Sequence, residues 1–365
     1  MPFSCFSNIR IAGIASSVPK TVVKIDGFKP LFGEEVVDKF KKMTGISEYR
    51  KTNKEQTASD LGFSAAKALF KNKGIDPNSI GALIFVSHSP DYRRPATACV
   101  LHKRLGLKKD CFAFDISLGC SASVYGIVAT CSLMQNSDIG RALLVVAESI
   151  TKMIHPQDRS LAMLFGDAGS AILLEKTEYP SEIKGLLRTD GSNYKAVIAP
   201  AGGFRNMDAS TESMRWPDGN TRTLYNTYMN GADVFSFTIS DIPQTVIDFM
   251  SKTDTSVVDY DCFAFHQANQ FIHKQISKKL KIPFEKMPLS LDRFGNTSGP
   301  SVPLTLCDSY GEEKHANSLK VMMCGFGVGL SWGVVSALLD TREIFPVIET
   351  DSFFEEGLIN SPDQL

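Results

Sequence analysis

"CFAFDISLGC" (111–120) and "CFAFHQANQF" (262–271) open on the same four letters and then diverge into different polar ends, one reaching Cys120 and the other His266. A short apolar run rich in aromatic residues, bounded by Gly, Ser or Asn, reads as a buried strand that ends in a loop. Outward from the first copy, "IRIAGIAS" (9–16), "ALIFVS" (82–87), "ALLVVAES" (142–149) and "AGSAILLE" (168–175) have the same character. Such continuous runs suit strands of parallel sheets buried on both faces. Segments of helical period fill the gaps. "TASDLGFSAAKALFKN" (57–72) begins with a Thr cap and carries a one-sided apolar stripe, whereas "SASVYGIVATCSLMQ" (121–135) is apolar nearly all round and belongs in the interior.

The second half repeats this order. A helix-like stretch at 233–252, interrupted by Pro243, precedes the strand at 262–268, a helix at 270–282 and strands at 320–326 and 330–340. In both halves CFAF leads through a helix to two further strands, a duplication of two copies and not a solenoid. The expectation is an α/β protein of two like halves, 1–175 and 233–340. Residues 176–232, rich in Gly, Asn, Asp and Thr, would bridge them, and 341–365 would form an acidic extension. On this reading the two CFAF runs are equivalent strands, and the repeated letters themselves are core packing.

Composition narrows the function. The 365 residues are 43% hydrophobic and 22% charged with a net charge of −1, so the chain lacks the basic excess of a nucleic-acid binder. No apolar run reaches membrane-spanning length and the N-terminus lacks a signal-peptide pattern, so a cytoplasmic protein without membrane contact is expected. The eight cysteines show no C-x-x-C pair and no Cys/His cluster of zinc spacing. They read as reduced thiols, with no metal expected.

Three residues stand out. Cys120 lies past a strand end and opens a helix, whose first N–H groups and dipole favour a thiolate. His266 follows the matching strand, at the sheet edge where α/β proteins place ligands. Asn296 sits in the Gly-flanked turn of "DRFGNTSGPSVPL" (292–304). Each alone has a structural reading: a packing thiol, a hydrogen-bonded core histidine, a turn asparagine. "GFGVG" (325–329) lacks the third glycine position and the following acidic residue of a dinucleotide loop, so it reads as a close-approach turn. Its N–H groups, with that of Cys120, could form an oxyanion hole. Asp167, in "LFGDAGSA" (164–171), reads as a structural carboxylate.

Together these blocks resemble the thiolase superfamily, and within it the β-ketoacyl-acyl carrier protein synthase III group. "TGISEYRKT" (44–52), "FDISLGCSASVYGI" (114–127), "DRSLAMLFGDAGSAI" (158–172), "FHQANQFI" (265–272), "DRFGNTSGPSVPL" and "GFGVGLSWG" (325–333) occur in the family's order. The resemblance implies a five-layered αβαβα fold of two duplicated halves, usually a homodimer. It implies that Cys120 takes an acyl group from a primer thioester, generally acyl-CoA. Malonyl-acyl carrier protein then loses CO2, and the carbanion attacks the acyl-cysteine. His266 and Asn296 would donate to the enolate oxygen, the N–H groups of Cys120 and Val328 would form the oxyanion hole, and no cofactor would be needed. Arg159 matches an arginine that contacts CoA, although Lys39 and Met43 stand where CoA-using members often carry an aromatic residue and an arginine. Arg94 stands where the housekeeping enzyme has an aromatic residue reaching the partner subunit's acyl tunnel, which implies a short or polar primer. Phe326 joins Arg94 and Arg159 as a substrate-binding candidate. Lys278 and Lys279 are candidates for the acidic carrier protein, with Gln270 where a basic residue is frequent. Val328 replaces the glycine usual in "GFGGG". Two other readings stay open. A cysteine hydrolase shares the Cys, His, Asn chain order but brings a C-G-[SA]-C-[WY] block that is missing here. A catalytically weak homologue could serve as a scaffold.

Overall fold

The apolar runs are strands, and they are continuous because helices cover both faces of each sheet. A computed structural model describes residues 3–312 and 318–364. Its principal strands are β1 (Phe3–Ser7), β2 (Ile9–Pro19), β3 (Ala82–Val86), β4 (Phe112–Ile116), β5 (Arg141–Glu148), β6 (Ala168–Lys176), β7 (Glu182–Thr189), β8 (Cys262–Phe265), β9 (Ser318–Gly327), β10 (Ser331–Asp340) and β11 (Ile348–Thr350). The helices that matter here are α1 (Glu34–Thr44), α2 (Ala58–Lys73), α3 (Thr97–Leu105), α4 (Ala122–Gln135), α5 (Gly231–Thr253), α6 (Gln270–Leu280) and α7 (Ser301–Tyr310). One sheet has the order β11-β2-β6-β5-β3-β4 and the other β1-β7-β10-β9-β8.

Side chains alternate between faces along each strand, and the alternation sorts three apolar layers. Ile84, Leu144 and Ile172 from the first sheet and Ala264, Met323 and Val335 from the second pack on α4 and α7 between the sheets. Leu83, Phe85 and Val145 point outward to α2 and α3. Phe263, Phe265 and Met322 point outward to α5 and α6. The result is the αβαβα sandwich that the resemblance implied. The sheets are mixed, however, and not parallel: β3 runs parallel to β4 and β5, but β6 is antiparallel to both β5 and β2. In the other sheet only β8 and β9 are parallel. Coverage of both faces makes a strand apolar throughout, whatever its direction.

The duplication is present, in a different register from the one the repeated letters suggest. In the first half α2, a 3-10 turn at Pro77–Ser79, β3 and α3 follow one another; in the second, α5, a 3-10 turn at Val257–Asp259, β8 and α6 do. β8 lies parallel against β9 as β3 lies parallel against β5, so β8 corresponds to β3 and not to β4. β4 is an additional edge strand, and the two CFAF runs are not equivalent. Nor is the first a core run: Phe112 and Phe114 are 57% and 39% exposed, whereas Cys262 to Phe265 are fully buried.

Other differences follow from packing. α5 runs unbroken through Pro243, because Phe237, Ile242, Val246 and Phe249 bind it to the sheet and Asn230 caps its first turn. The stretch 176–232 contributes a sheet strand, β7, paired with both β1 and β10. Residues 348–357 pack on the first half: β11 extends β2 at the sheet edge, Arg50 pairs with Glu349 at 2.7 Å, and Tyr92 donates to the Gly357 carbonyl at 2.6 Å.

Candidate active site

Cys120 stands immediately before α4, with Ser121 as the helix cap. The helix N-terminus faces the glycine turn that joins β9 and β10. A Cβ on Gly327 would fall 2.6 Å from the Cys120 Cβ and 2.9 Å from its sulfur, so only glycine allows this approach. Ser331 fastens the turn by bonding both the Ser121 hydroxyl, at 2.7 Å, and the Val328 carbonyl, at 2.8 Å. Cys120 is half-buried by area but closely packed, and burial pushes its thiol above the ordinary value. The Ser298 hydroxyl and the N–H groups of Val328 and Cys120 pull it back down. The positive end of α4 acts in the same direction.

His266 follows β8 and is 2% exposed. Burial lowers its pKa to about 4, so the imidazole is neutral at physiological pH. Nδ1 lies 2.7 Å from the Ser301 hydroxyl, which itself accepts the Gln267 N–H at 3.4 Å. With the hydroxyl donating to Nδ1, the ring proton sits on Nε2, the tautomer that a donor role for His266 requires. Asn296 precedes α7, held at Leu164 by its own N–H. Its Oδ1 accepts the Ser298 N–H at 2.9 Å, which leaves the amide nitrogen to donate. The structure thus gathers Cys120, His266 and Asn296 around Ser298, a residue that sequence reasoning passed over.

Two further groups escaped the sequence reading. Glu148, at the end of β5, is fully buried and accepts from the His88 N–H at 2.9 Å and the Ser89 hydroxyl at 2.6 Å. Burial pushes its pKa up to about 8, and Cys120 adds to the rise. His88 covers Gly119, whose Cβ would come within 2.8 Å of its ring. The available signal was a lone acidic residue at the end of an otherwise apolar strand. Asp167 is structural as expected, buried among N–H and hydroxyl donors of Thr52 and Thr151.

Among the described residues, no hydrogen bond or ion pair joins Arg94, Arg159, Lys278 or Lys279 to this cluster. Phe326 is 2% exposed and packs edge-on to the His266 ring at 5.2 Å, so it supports the histidine and presents no face to a ligand. Arg94 and Arg159 are exposed, and the Arg159 N–H is held by Asn220 Oδ1 at 3.1 Å. Lys278 and Lys279 are exposed on α6, with Lys279 bonded to the Ile239 carbonyl at 2.8 Å. A groove of about 1220 Å³ near Arg10, Lys184 and Tyr260 holds none of these residues. No group of metal-ligating side chains occurs among the described residues, and no helix among them is long and apolar enough to cross a membrane.

Comparison with known proteins identifies the arrangement. A family model described as 3-oxoacyl-[acyl-carrier-protein] synthase III matches residues 114–191, and its C-terminal counterpart matches 250–338. The chain is 34% identical over 329 residues to a Clostridium beijerinckii β-ketoacyl-[acyl-carrier-protein] synthase III, covering 89% of this chain and 98% of that one. An Ehrlichia canis protein of the same name is 33% identical, covering 88% and 97%. The crystal structure of a 3-oxoacyl-(acyl-carrier protein) synthase from Burkholderia xenovorans LB400 superposes with a TM-score of 0.91 at 35% identity, covering 96% of this chain and 99% of that one. The chain is an acyltransferase of the 3-oxoacyl-[acyl-carrier-protein] synthase III family, within the thiolase superfamily.

Proposed function

We propose that the protein joins an acyl primer to malonyl-acyl carrier protein by decarboxylative Claisen condensation, with Cys120 as nucleophile and His266 and Asn296 as enolate donors. The observation that carries this is the pairing, around one serine, of a thiol at a helix N-terminus with two neutral donors. In the first step the Cys120 sulfur bonds to the primer's carbonyl carbon. The primer's own C–S bond breaks, and the departing thiolate takes up the proton Cys120 gave up. The N–H groups of Cys120 and Val328 are suited to the oxyanion of that step. In the second step malonyl thioester loses CO2, the enolate oxygen is held by His266 Nε2–H and the Asn296 amide, and the carbanion displaces the Cys120 thiolate. A neutral His266 suits a donor better than a protease-like base. The thiol and the loss of CO2 supply the chemistry, so we assign no cofactor.

Arg159 is the proposed contact for the phosphates of an acyl-CoA primer, and exposed Arg94 favours a short or polar acyl group. On α6, Lys278 is the freer candidate for an acidic carrier protein, because Lys279 already bonds a carbonyl. The exposed edge of β4 favours a homodimer. The eight free cysteines fit a reducing compartment such as the cytoplasm.

Intact-mass spectrometry with a panel of acyl-CoA and acyl-carrier thioesters tests the reading. The expected result is an acyl adduct that names the primer and disappears in Cys120→Ala, with condensation reduced at least ~1000-fold. Absence of an adduct with every donor would favour a scaffold.

A further inference from the structure

Ser298 touches each of the three proposed catalytic residues. Its hydroxyl lies 3.6 Å from the Cys120 sulfur, its N–H donates to Asn296 Oδ1 at 2.9 Å, and its carbonyl faces the His266 ring. It is 2% exposed, and the sulfur is the sole hydrogen-bond partner of its hydroxyl among the described residues. Its backbone has φ +59°, a left-handed conformation that costs a serine about 1 kcal/mol. The turn that holds it carries two glycines. Gly295 has φ +65°, and a Cβ on Gly299 would fall 2.9 Å from the Gly119 carbonyl. The turn therefore brings the serine down on the cysteine loop and aims its hydroxyl at the sulfur.

Resting on the assignment of Cys120 as nucleophile, we propose that Ser298 is a further catalytic residue whose O–H donates to the Cys120 thiolate, both when the sulfur attacks the primer and when it leaves during condensation. A hydroxyl bonds a charged sulfur more strongly than the sulfur of a thioester. It therefore stabilises the two states in which charge resides on Cys120 and slackens in the acyl-enzyme between them. Stabilisation restricted to those states accelerates the reaction, whereas equal stabilisation of every state would not. The serine transfers no proton and forms no covalent bond.

The test is the pH dependence of Cys120 alkylation by iodoacetamide, read by peptide mass in wild type, Ser298→Gly and Ser298→Ala, beside the rate of acyl-adduct formation. Glycine removes the hydroxyl and is at ease at positive φ; alanine removes the hydroxyl and keeps the Cβ. Losing a charge-assisted hydrogen bond should raise the alkylation midpoint by about one to two pH units and slow acylation at pH 7 about tenfold or more, alike in both variants. Unchanged midpoints would overturn the proposal. So would a near-normal Ser298→Gly beside a damaged Ser298→Ala, since that pattern belongs to a backbone role. Failure of the Cys120 assignment shows separately, as a wild type that forms no adduct at Cys120.

Discussion

Glu148 is the residue whose environment is least expected of a carboxylate. It is buried at the end of β5 among neutral donors from Ser87, His88 and Ser89, with Cys120 as the titratable group that raises it further. Its pKa in the folded state, about 8, lies above the ordinary 4.5, so the folded protein keeps a proton that the unfolded chain releases between those values. Its contribution to stability is then fully present below pH 4.5 and is lost as pH rises through 8. Glu148→Gln should flatten this decline by ~3 kcal/mol across the window, read from urea unfolding at pH 5 and pH 8.5. Ionisation also sets a negative charge near the Cys120 thiolate, so wild-type acylation should decline above pH 8 and the variant should lose that limb. Equal pH profiles in the two proteins would show that Glu148 does not carry the proton. His266 has the opposite sign: its folded pKa of about 4 lies below 6.5, so its contribution is lost as pH falls through 4. Cys120, His266 and Asn296 were legible because each ends or opens an element. Glu148 and Ser298 were not, since their roles depend on neighbours 60 and 178 residues away in the chain.

At the level of elements, periodicity recovered the strands near 9, 82, 142, 168 and 262 and the helices near 57, 122 and 270, because continuous apolar runs and caps are local signals. Register between the halves was not local. The letters CFAF recur on strands of different rank, and only the sheet pairing separates β4 from β8. β7 was missed because "EIKGLLRT" mixes buried and half-exposed positions without clean alternation. The extension beyond residue 341 was legible only as acidic and aromatic, yet several of these residues have partners. Lys20 meets Asp351 at 3.0 Å, and Gln56 donates to the carbonyls of Thr350 and Ser352. The Arg104 guanidinium, paired with Asp60 at 2.8 Å, lies between the rings of Phe63 at 4.4 Å and Phe354 at 4.6 Å. Cation–π contacts of a buried arginine and one added strand are together worth about 2 to 4 kcal/mol. Truncation after residue 347 should lower unfolding stability by about that amount. It should also speed amide exchange in the 90–96 loop, because Tyr92 loses its Gly357 acceptor. Unchanged exchange in that loop would mean the extension only covers the sheet edge.

For the whole molecule, the two sheets differ in how their edges are finished. β11 closes one edge of the six-stranded sheet and is followed by acidic chain, while β8 closes the five-stranded sheet as a buried strand. β4 alone combines an outer edge without a strand partner, among the described residues, with two exposed phenylalanines. An apolar strand edge is a template for another strand, and a second copy meeting it about a twofold axis would continue the sheet and cover both rings. The occupant proposed is therefore this chain itself. The edge also anchors the Arg94 loop: Asp115 of β4 accepts the N–H groups of Thr97 and Ala98, which open α3 directly after it. Dimerisation would then set the position of Arg94 as well as the oligomeric state. At an edge shared in this way, Phe112→Asp with Phe114→Asp would place two like charges from each copy side by side, and should weaken association at least ~100-fold, about 3 kcal/mol. Sedimentation velocity across a concentration series reads the change. The monomer so produced should also show an altered preference between polar and apolar primers; a wild type that sediments as a monomer, or a variant that associates at wild-type strength, would rule out β4 as an interface between copies.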